Sequence, residues 1–279
     1  MKLRLYHHHD GARVAYREAG TGPPLALLHS AGLTHREWEP VVEELTDRFR
    51  LVLPDLPLHG DSEDHPRHPY SPEWLTEVMT GFVRDVCGPR PLVGGHDLGA
   101  EVLLRAVTTR RLTPGRLVIM PCPLHRRPRR RTGPERIVRA GAVAAAVPGL
   151  DRVVTHGARL VFRPGTGEKL TARHNPAVRD LVRHALADLG GNVNRARAWS
   201  KAVRRWPDRD LHLLDAYRHI EVPVLLLWAD EDPLHPVAVA EEALDLLPDA
   251  QLRILPGTGY LMAYDDPVGL AREIKAFCK

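Results

Sequence analysis

The chain has 279 residues, of which 27% are charged, and a formal net charge of +4 at pH 7. This length is enough for one sizeable α/β domain with an insertion, or for two small domains. The three cysteines have no metal-ligand spacing, so we expect neither a disulfide framework nor a zinc site. The tract His7–His9 offers imidazoles, but alternating side chains on a strand or turn would not converge, and we predict no metal site.

The chain also lacks the pattern of a membrane segment. The uncharged, alanine-rich run Ala140–Leu150 is about half of the ~20 residues that a spanning helix needs, and it contains a proline. The stretch Met1–Asp10 is charged and strand-like, without the apolar core of a signal peptide. We therefore expect no membrane partner and a cytoplasmic location.

The first half of the chain alternates between strands and helices. An Asp10-Gly11 turn divides Leu3–Glu18 into two alternating runs and predicts a β-hairpin. Ser71 and Pro72 predict the start of a helix toward Val86, because serine caps helices and proline suits the first helical position. The other predicted elements are strand Pro24–His29, helix Trp38–Leu45, strand Phe49–Pro54, strand Pro91–Gly95, helix Glu101–Val107 and strand Arg116–Met120.

The alternation stops after the sixth strand and resumes near the C-terminus. From Cys122 to about Arg218 the pattern is mostly helical. The last elements are strand Pro223–Trp228, helix Val237–Leu247, strand Gln251–Leu255 and helix Pro267–Phe277. Apolar strands that alternate with helices indicate an α/β fold with a mostly parallel sheet covered on both faces. We predict a core of residues 1–123 and 206–279, with a helical cap, residues 124–205, inserted after the sixth strand.

The predicted cap is strongly basic. Between Leu124 and Arg205 there are 17 arginines and two lysines against five acids, a balance of +14 that leaves −10 for the remainder. Such asymmetry predicts two units that attract one another or frame an anionic ligand. The run Arg126–Arg131 could clamp a carboxylate, a phosphate or an acidic carrier protein, but a solvated loop is the favoured interpretation. We predict no nucleic-acid partner, because no aromatic platform or known motif accompanies these charges.

One short stretch between a strand and a helix has the layout of a catalytic turn. Gly95-His96-Asp97-Leu98-Gly99 matches the nucleophile elbow Gly-x-nucleophile-x-Gly, with aspartate in place of the usual serine. A carboxylate at such a strained turn is exposed to a pocket, where it can attack carbon or accept a proton. Asp97 is therefore the first candidate catalytic residue.

With this elbow and three loops in order, the chain resembles the α/β-hydrolase superfamily. The loops are Leu28–Gly32, similar to the family's oxyanion loop, Asp55–Ser62, similar to its Asp-x-x-Gly-His-Gly-x-Ser loop, and Trp228–Pro233, similar to the strand end that supplies the relay acid. The resemblance places the relay acid at Asp232, with Asp230 as the second choice. It implies an α/β-hydrolase fold, in which a mostly parallel central sheet is flanked by helices and carries a helical cap.

The catalytic histidine of the family is missing from its usual place. The stretch that would carry it, Pro256–Met262, has Tyr260 at that position. A tyrosine of ordinary pKa near 10 cannot act as a base at neutral pH. Of the other histidines we rank His125 first as a substitute base, because it lies at the entrance to the insertion, and we expect His235 to point away.

Further site residues follow from the resemblance. It implies that the backbone N–H groups of Leu98 and of Ala31 or Ser30 stabilise negative charge, whichever reaction is catalysed. The Ser30 side chain could bond a substrate oxygen, or could serve in a turn or on the surface. His29 and Trp38 belong to the same loop region and are assigned to it.

Asp97 has two functional interpretations. In epoxide hydrolases and haloalkane dehalogenases, which share this aspartate, the carboxylate forms an alkyl-enzyme ester that a histidine-activated water cleaves. Without a histidine at residue 260, we favour acid–base catalysis, with Asp97 as proton acceptor and Tyr260, oriented by Asp232, as donor.

The sequence thus predicts a cofactor-free enzyme that acts on a small carbonyl-bearing or anionic molecule. The favoured reaction is that of a lyase, cyclase or isomerase, of the kind found in secondary metabolism. One alternative is a hydrolase with Asp97 as nucleophile and His125 or another histidine as base. The other is a ligand-binding protein of the same fold without catalysis.

Overall fold

The structure is a computed structural model. It describes residues 1–125, 133–144, 146–147, 149–150, 153, 164–190, 193–205 and 211–279. The basic run Arg126–Arg131 lies outside the described residues. Its proposed role toward an anion or an acidic carrier protein therefore stays a prediction.

A single mostly parallel sheet organises the described part of the chain. Its strands are β1 (Lys2–His7), β2 (Arg13–Ala19), β3 (Pro24–Leu28), β4 (Arg50–Pro54), β5 (Leu92–Gly95), β6 (Arg116–Ile119), β7 (Val224–Ala229) and β8 (Ala250–Leu255). Their order across the sheet is β1-β2-β4-β3-β5-β6-β7-β8, and strands β3 to β8 pair in parallel. The hairpin β1–β2 adds antiparallel pairs at one edge. The predicted strands and their parallel pairing are confirmed.

Helices cover the sheet and occupy the segment between β6 and β7. They are α1 (Val42–Leu45), α2 (Pro72–Cys87), α3 (Leu98–Thr108), α4 (Gly133–Ala144), α5 (Val178–Gly190), α6 (Val193–Arg205), α7 (Leu211–Asp215), α8 (Val237–Leu244), α9 (Met262–Asp265) and α10 (Pro267–Phe277). The helix predicted at Trp38–Leu45 forms instead a 3₁₀ helix, His35–Val41, followed by the short α1. Pro40 lies inside the 3₁₀ segment and has no N–H to donate, which disfavours a continuous α-helix. Ser71 caps α2 by accepting the N–H of Trp74, as its sequence predicts.

Two apolar clusters lie on opposite faces of the sheet. Successive residues of a strand point to opposite faces, so Leu225 and Leu227 of β7 join one cluster while Leu226 and Trp228 join the other. All six residues of β7 are buried, which explains its continuous apolar sequence. The sheet is thus a rigid platform whose strand ends carry the loops of the site.

The basic helix α6 contacts one loop of the body. The Arg195 guanidinium donates to the carbonyl oxygen of Gly60 at 2.9 Å and forms an ion pair with Asp64 at 3.2 Å. Lys201 and Arg205 donate to the carbonyl oxygens of Pro66 and Pro69. The segment between β6 and β7 therefore docks on residues 60–69, while the exact limits of a cap domain stay a prediction.

None of the helices among the described residues combines the length and the apolar character that crossing a membrane requires.

Candidate active site

The elbow holds Asp97 in a strained backbone conformation between β5 and α3. Asp97 has φ +46° and ψ −111°, a region that few residues other than glycine adopt. The residues two positions before and after Asp97 must be glycines because the turn is tight. A Cβ on Gly95 would lie 2.6 Å from the backbone nitrogen of Ala100, and one on Gly99 would lie 2.4 Å from the carbonyl oxygen of Leu28. The turn therefore presses α3 against the end of β3 and pushes the aspartate side chain outward.

The two carboxylate oxygens of Asp97 have different partners. Oδ2 accepts a hydrogen bond of 3.0 Å from the backbone N–H of Ala31, in the predicted oxyanion loop. Oδ1 lies 4.0 Å from Nε2 of His235. The Tyr260 side chain lies close enough to this carboxylate for the negative charge of Asp97 to raise the pKa of the phenol. The Asp97 side chain is 20% exposed, so the carboxylate can be reached from solvent.

His235 faces Asp97, and our expectation that it points away is wrong. Nδ1 of His235 lies 3.0 Å from Oδ2 of Asp232, whose other oxygen accepts the N–H of Leu234 at 2.7 Å. This turn reverses the chain directly after Asp232, and the His235 imidazole therefore faces Asp97 at the carboxyl ends of the strands. The indole N–H of Trp228, in β7, donates to the carbonyl oxygen of His235 and holds the turn against the sheet. Asp97, His235 and Asp232 thus lie in one row.

Asp232 is the acid that orients this histidine. Burial raises the pKa of Asp232, but the hydrogen bond and charge of His235 and the N–H of Leu234 outweigh it and hold the pKa below its ordinary value. The carboxylate therefore stays ionised at neutral pH. Asp230, the second choice for the relay acid, is exposed and accepts the N–H of Thr258. Its contact is to the loop that carries Tyr260.

Tyr260 occupies the position of the missing histidine and is buried. Its ring stacks on His235 at 5.8 Å and lies 4.4 Å from the His96 ring. Burial, followed by the charges of Asp97 and Glu37, raises the pKa of Tyr260 well above its ordinary value. The phenol is therefore a donor that stays protonated. The expected pairing with Asp232 is wrong, because that carboxylate binds His235.

A buried charge network supports the oxyanion loop from inside. Glu37 accepts both the N–H and the hydroxyl of Ser30 at 2.8 Å and forms an ion pair with Nδ1 of His96. Burial opposes both charges, yet the pair lowers the pKa of Glu37 and raises that of His96. Ser30 is fully buried, so a surface role for it is wrong. Beside Tyr260, Nε2 of His96 is buried and has no hydrogen-bond partner among the described residues.

Two neutral histidines fix the loop to the next strand end. His29 accepts the N–H of Leu56 at Nε2 and contacts the Ser30 carbonyl oxygen at Nδ1, both at 2.8 Å. His59 accepts the N–H of Gly32 at 2.9 Å. Burial lowers the pKa of both histidines, that of His59 to about 3. Through these contacts the two histidines hold the oxyanion loop in place.

The remaining predicted site residues have other contacts or contribute backbone groups. Nδ1 of His125 lies 2.8 Å from the Tyr217 hydroxyl, so its ring contacts a buried phenol. Trp38 is 1% exposed and belongs to an apolar core cluster, which makes a direct role at the substrate wrong for its side chain. Leu98 begins α3, and a first-turn N–H has no acceptor within its own helix.

Two functional residues were missed by sequence reasoning. His235 carried a usable signal, because it stands three residues after the predicted relay acid and histidine alone has a near-neutral pKa. Glu37 carried none, since a single acid before Trp38 is indistinguishable from a surface residue until its burial is known.

A depression of about 360 Å³ lies far from this row of residues. It is lined by Arg116, Leu225, Gln251, Arg253 and Phe277 among others. These residues are near the starts of β6, β7 and β8 or in α10, whereas Asp97 follows the end of β5. In open parallel sheets, ligand sites form outside the carboxyl ends of the strands, so the depression is not the candidate active site.

The parallel sheet, the strained elbow at the end of β5 and the acid–histidine pair at the end of β7 together define the architecture of an α/β hydrolase. The chain belongs to the alpha/beta hydrolase family, whose sequence model matches residues 25–273. The predicted fold class is thereby confirmed.

Individual relatives place the chain among hydrolase-fold proteins. It is 27% identical over 307 aligned positions to an uncharacterized protein of Mycobacterium tuberculosis, covering 99% of this chain and 80% of the relative. It is 32% identical over 105 residues to a soluble epoxide hydrolase of a Corynebacterium species, covering 37% of this chain and 36% of that one. The structure of a thermophilic esterase from Thermogutta terrifontis superposes with a TM-score of 0.78 at 20% identity, covering 100% and 98% of the two chains.

Proposed function

We propose that this protein is a hydrolase that works through an ester of Asp97, with His235 as the base that activates water. The observation that carries the proposal is the hydrogen bond from the Ala31 N–H to Oδ2 of Asp97. In a serine hydrolase the oxyanion hole faces an oxygen of the substrate. In an aspartyl ester the carbonyl to be hydrolysed belongs to the enzyme, so the hole must face the aspartate's own oxygen.

The first half-reaction is attack by Oδ1 of Asp97 on an electrophilic carbon. With an epoxide, the new O–C bond forms while the ring C–O bond breaks, and the ring oxygen leaves as an alkoxide that must be protonated. Tyr260 supports this step, because its phenol stays protonated beside Asp97 and can donate to that oxygen. The products are a hydroxyalkyl ester of Asp97 and a Tyr260 phenolate that regains its proton from water.

The second half-reaction is hydrolysis of that ester. His235 takes a proton from water as the water attacks the Asp97 carbonyl carbon, and the oxyanion that forms at Oδ2 keeps its bond to Ala31. Ionised Asp232 stabilises the resulting imidazolium. Collapse of the tetrahedral intermediate breaks the bond to the substrate, which takes the proton from His235 and leaves as a diol. The carboxylic acid left at Asp97 releases its proton to water, which restores the carboxylate.

This proposal replaces the favoured expectation of a lyase, cyclase or isomerase. That expectation depended on the absence of a histidine from residue 260. His235 removes the difficulty, because it supplies an imidazole next to Asp97 from another loop. The relatives named as an esterase and an epoxide hydrolase also favour hydrolysis over elimination or cyclisation.

The decisive experiment is a single turnover of styrene oxide in ¹⁸O-labelled water. Excess enzyme is mixed with the epoxide, and the enzyme is digested after one turnover. The mass of the peptide that contains Asp97 is then measured. We expect one ¹⁸O in that peptide, because water attacks the enzyme's carbonyl and the diol carries away an aspartate oxygen. The peptides containing Asp230 and Asp232 serve as internal controls and should remain unlabelled.

Two results would overturn the proposal. One is diol formation with the label in the product and none in Asp97, which would make the carboxylate a general base. The other is hydrolysis of 4-nitrophenyl acetate alone, with no conversion of styrene oxide or 1-bromobutane, which would indicate attack at an acyl carbon without an aspartyl ester.

A further inference from the structure

The turn after β1 brings together three potential metal ligands. Ligand atoms of His8, His9 and Glu77 all lie within 4.8 Å of one another. The N–H of His8 donates to the carbonyl oxygen of Ala12, and that of Gly11 to the carbonyl oxygen of His8, so the alternation of β1 ends before His8. The two imidazole rings consequently stand 4.0 Å apart on one side, and our expectation that this tract would not converge is wrong for His8 and His9.

His8 is oriented as a ligand would be. Its Nδ1 lies 2.8 Å from Oδ1 of Asp10, and a carboxylate can only accept there, so the neutral ring carries its hydrogen on Nδ1 and its lone pair on Nε2. A carboxylate that holds the far nitrogen in this way is the usual support of a metal-bound histidine. Nε2 points at α2, where a Cβ added to Gly81 would lie 3.5 Å from it. Glu77 stands one helical turn before Gly81 on the same helix.

We propose that His8, His9 and Glu77 bind a divalent transition-metal ion, most suitably Zn²⁺, which links the β1–β2 turn to helix α2. Two imidazoles and one carboxylate are a ligand set that zinc accepts, with water in a fourth position. Zinc bonds of about 2.1 Å at tetrahedral angles put ligand atoms about 3.4 Å apart. Nε2 of His9 and Oε1 of Glu77 are 3.9 Å apart, so a small movement of two exposed side chains completes the site.

The charge of a neighbouring arginine does not prevent Glu77 from binding the ion. Glu77 also pairs with Arg111, through its other oxygen at 3.9 Å. Both side chains are about half exposed, and an exposed pair of this kind contributes little to stability. Zinc can therefore take Oε1 while Arg111 stays near Oε2.

The test is calorimetric titration of the whole chain with ZnCl₂, together with its thermal stability with and without zinc. We expect one saturable site and a higher melting temperature with zinc, because an ion that binds the folded state stabilises it. His9→Ala and Glu77→Gln should each weaken binding at least about tenfold, the smallest loss found even when only a supporting residue is removed. Both side chains are exposed, so both variants should fold.

His7→Ala is the matched control, because His7 belongs to the same tract but is part of β1. It should leave the zinc affinity and the stabilisation unchanged. Equal losses in the His7→Ala and His9→Ala variants would mean that the tract binds zinc without a built site and would overturn the proposal. Unchanged affinity in Glu77→Gln, or no saturable binding to the unmodified chain, would overturn it as well.

Discussion

Asp97 differs from a serine at the same turn because it has a second oxygen to be stabilised. In this chain Oδ2 is held by Ala31, while Oδ1 faces His235. A group that attacks with one oxygen and is later attacked at its own carbon needs this asymmetry. The proposed mechanism also needs a base beside the water that attacks the Asp97 ester. His235, on the loop after β7, lies 4.0 Å from Oδ1 of Asp97 and can serve as that base although residue 260 is a tyrosine.

Replacing His235 by alanine should stop the reaction halfway. Asp97 does not need a base to attack an epoxide, but water does need one to cleave the ester. We expect turnover of styrene oxide to fall about 10²–10⁴-fold, the range for loss of a general base. Intact-mass spectrometry should then show enzyme heavier by one molecule of epoxide.

The exposed His219 gives the matched control. His219→Ala should turn over normally and show no adduct. If His235→Ala kept full turnover, another group would have to activate water and the assignment of His235 would be wrong.

Replacing Tyr260 by phenylalanine tests the proton donor. The ring is buried and should keep its packing, so the change removes only the hydroxyl beside Asp97. We expect the rate of Asp97 alkylation by styrene oxide to fall about 10²-fold, because the alkoxide loses its donor. Cleavage of an ester once formed should change little, and rapid-quench mass measurement separates the two rates. A change in KM with an unaltered alkylation rate would contradict this role.

At the scale of elements, the elbow depends on close packing between α3 and β3. In Gly99→Ala the new methyl group would meet the Leu28 carbonyl oxygen at 2.4 Å, so the helix must move. We expect a loss of about 1–3 kcal/mol in the free energy of unfolding, as for other overpacked sites, and a large loss of turnover. Urea unfolding and styrene oxide turnover measure the two effects.

Gly88→Ala isolates the cost of backbone conformation. Gly88 ends α2 at φ +89°, and no atom of the described residues lies within 4 Å of an added Cβ. At ψ −174° this is a backbone conformation that almost only glycine adopts, so the variant should lose about 1–3 kcal/mol yet keep its turnover. If Gly99→Ala were equally active, the packing of the elbow would not matter for the site.

The helices between β6 and β7 act on the site through contacts with its loops. Tyr260 packs with Val178 and Leu181 of α5, which therefore lies over the candidate site. The buried carboxylate of Asp265 accepts the N–H groups of Ala172 and Gly259, and it ties the segment before α5 to the Tyr260 loop. Movement of α5 would consequently be felt directly at Tyr260.

At the scale of the whole molecule, buried neutral histidines predict sensitivity to acid. The folded pKa of His59 is about 3 and that of His29 is also lowered, whereas an unfolded histidine titrates near 6.5. Their stabilising contribution is complete above pH 6.5 and is lost as the pH falls toward the folded pKa, because the unfolded chain then binds more protons. Each can contribute a slope of up to about 1.4 kcal/mol per pH unit.

Urea unfolding of the chain and of His59→Gln, measured between pH 6.5 and pH 4, tests this slope. Glutamine can still accept the N–H of Gly32 but does not titrate. The variant should lose stability less steeply with falling pH than the natural chain. Parallel curves would show that His59 does not contribute to acid unfolding.

Much of the fold could be predicted because its signals are local. Apolar periodicity located β3 to β8, glycines at residues 95 and 99 located the elbow, and Ser71 with Pro72 located the start of α2. Each signal lies within a few consecutive residues, whose own backbone conformation it determines. Local patterns in the sequence thus sufficed to predict a parallel α/β sheet with an aspartate at the turn between β5 and α3.

The side chains that surround Asp97 are brought together by tertiary packing and could not be predicted from local patterns. Whether His235 points inward depends on a turn that Asp232 and Trp228 hold from different directions, and no periodicity encodes it. The burial of Glu37 likewise depends on segments that are far apart in the chain. The same is true of the contact of His8 and His9 with Glu77. Side-chain direction at loops is set by packing between distant segments, and this is why the sequence predicted Asp97 as a candidate and missed His235.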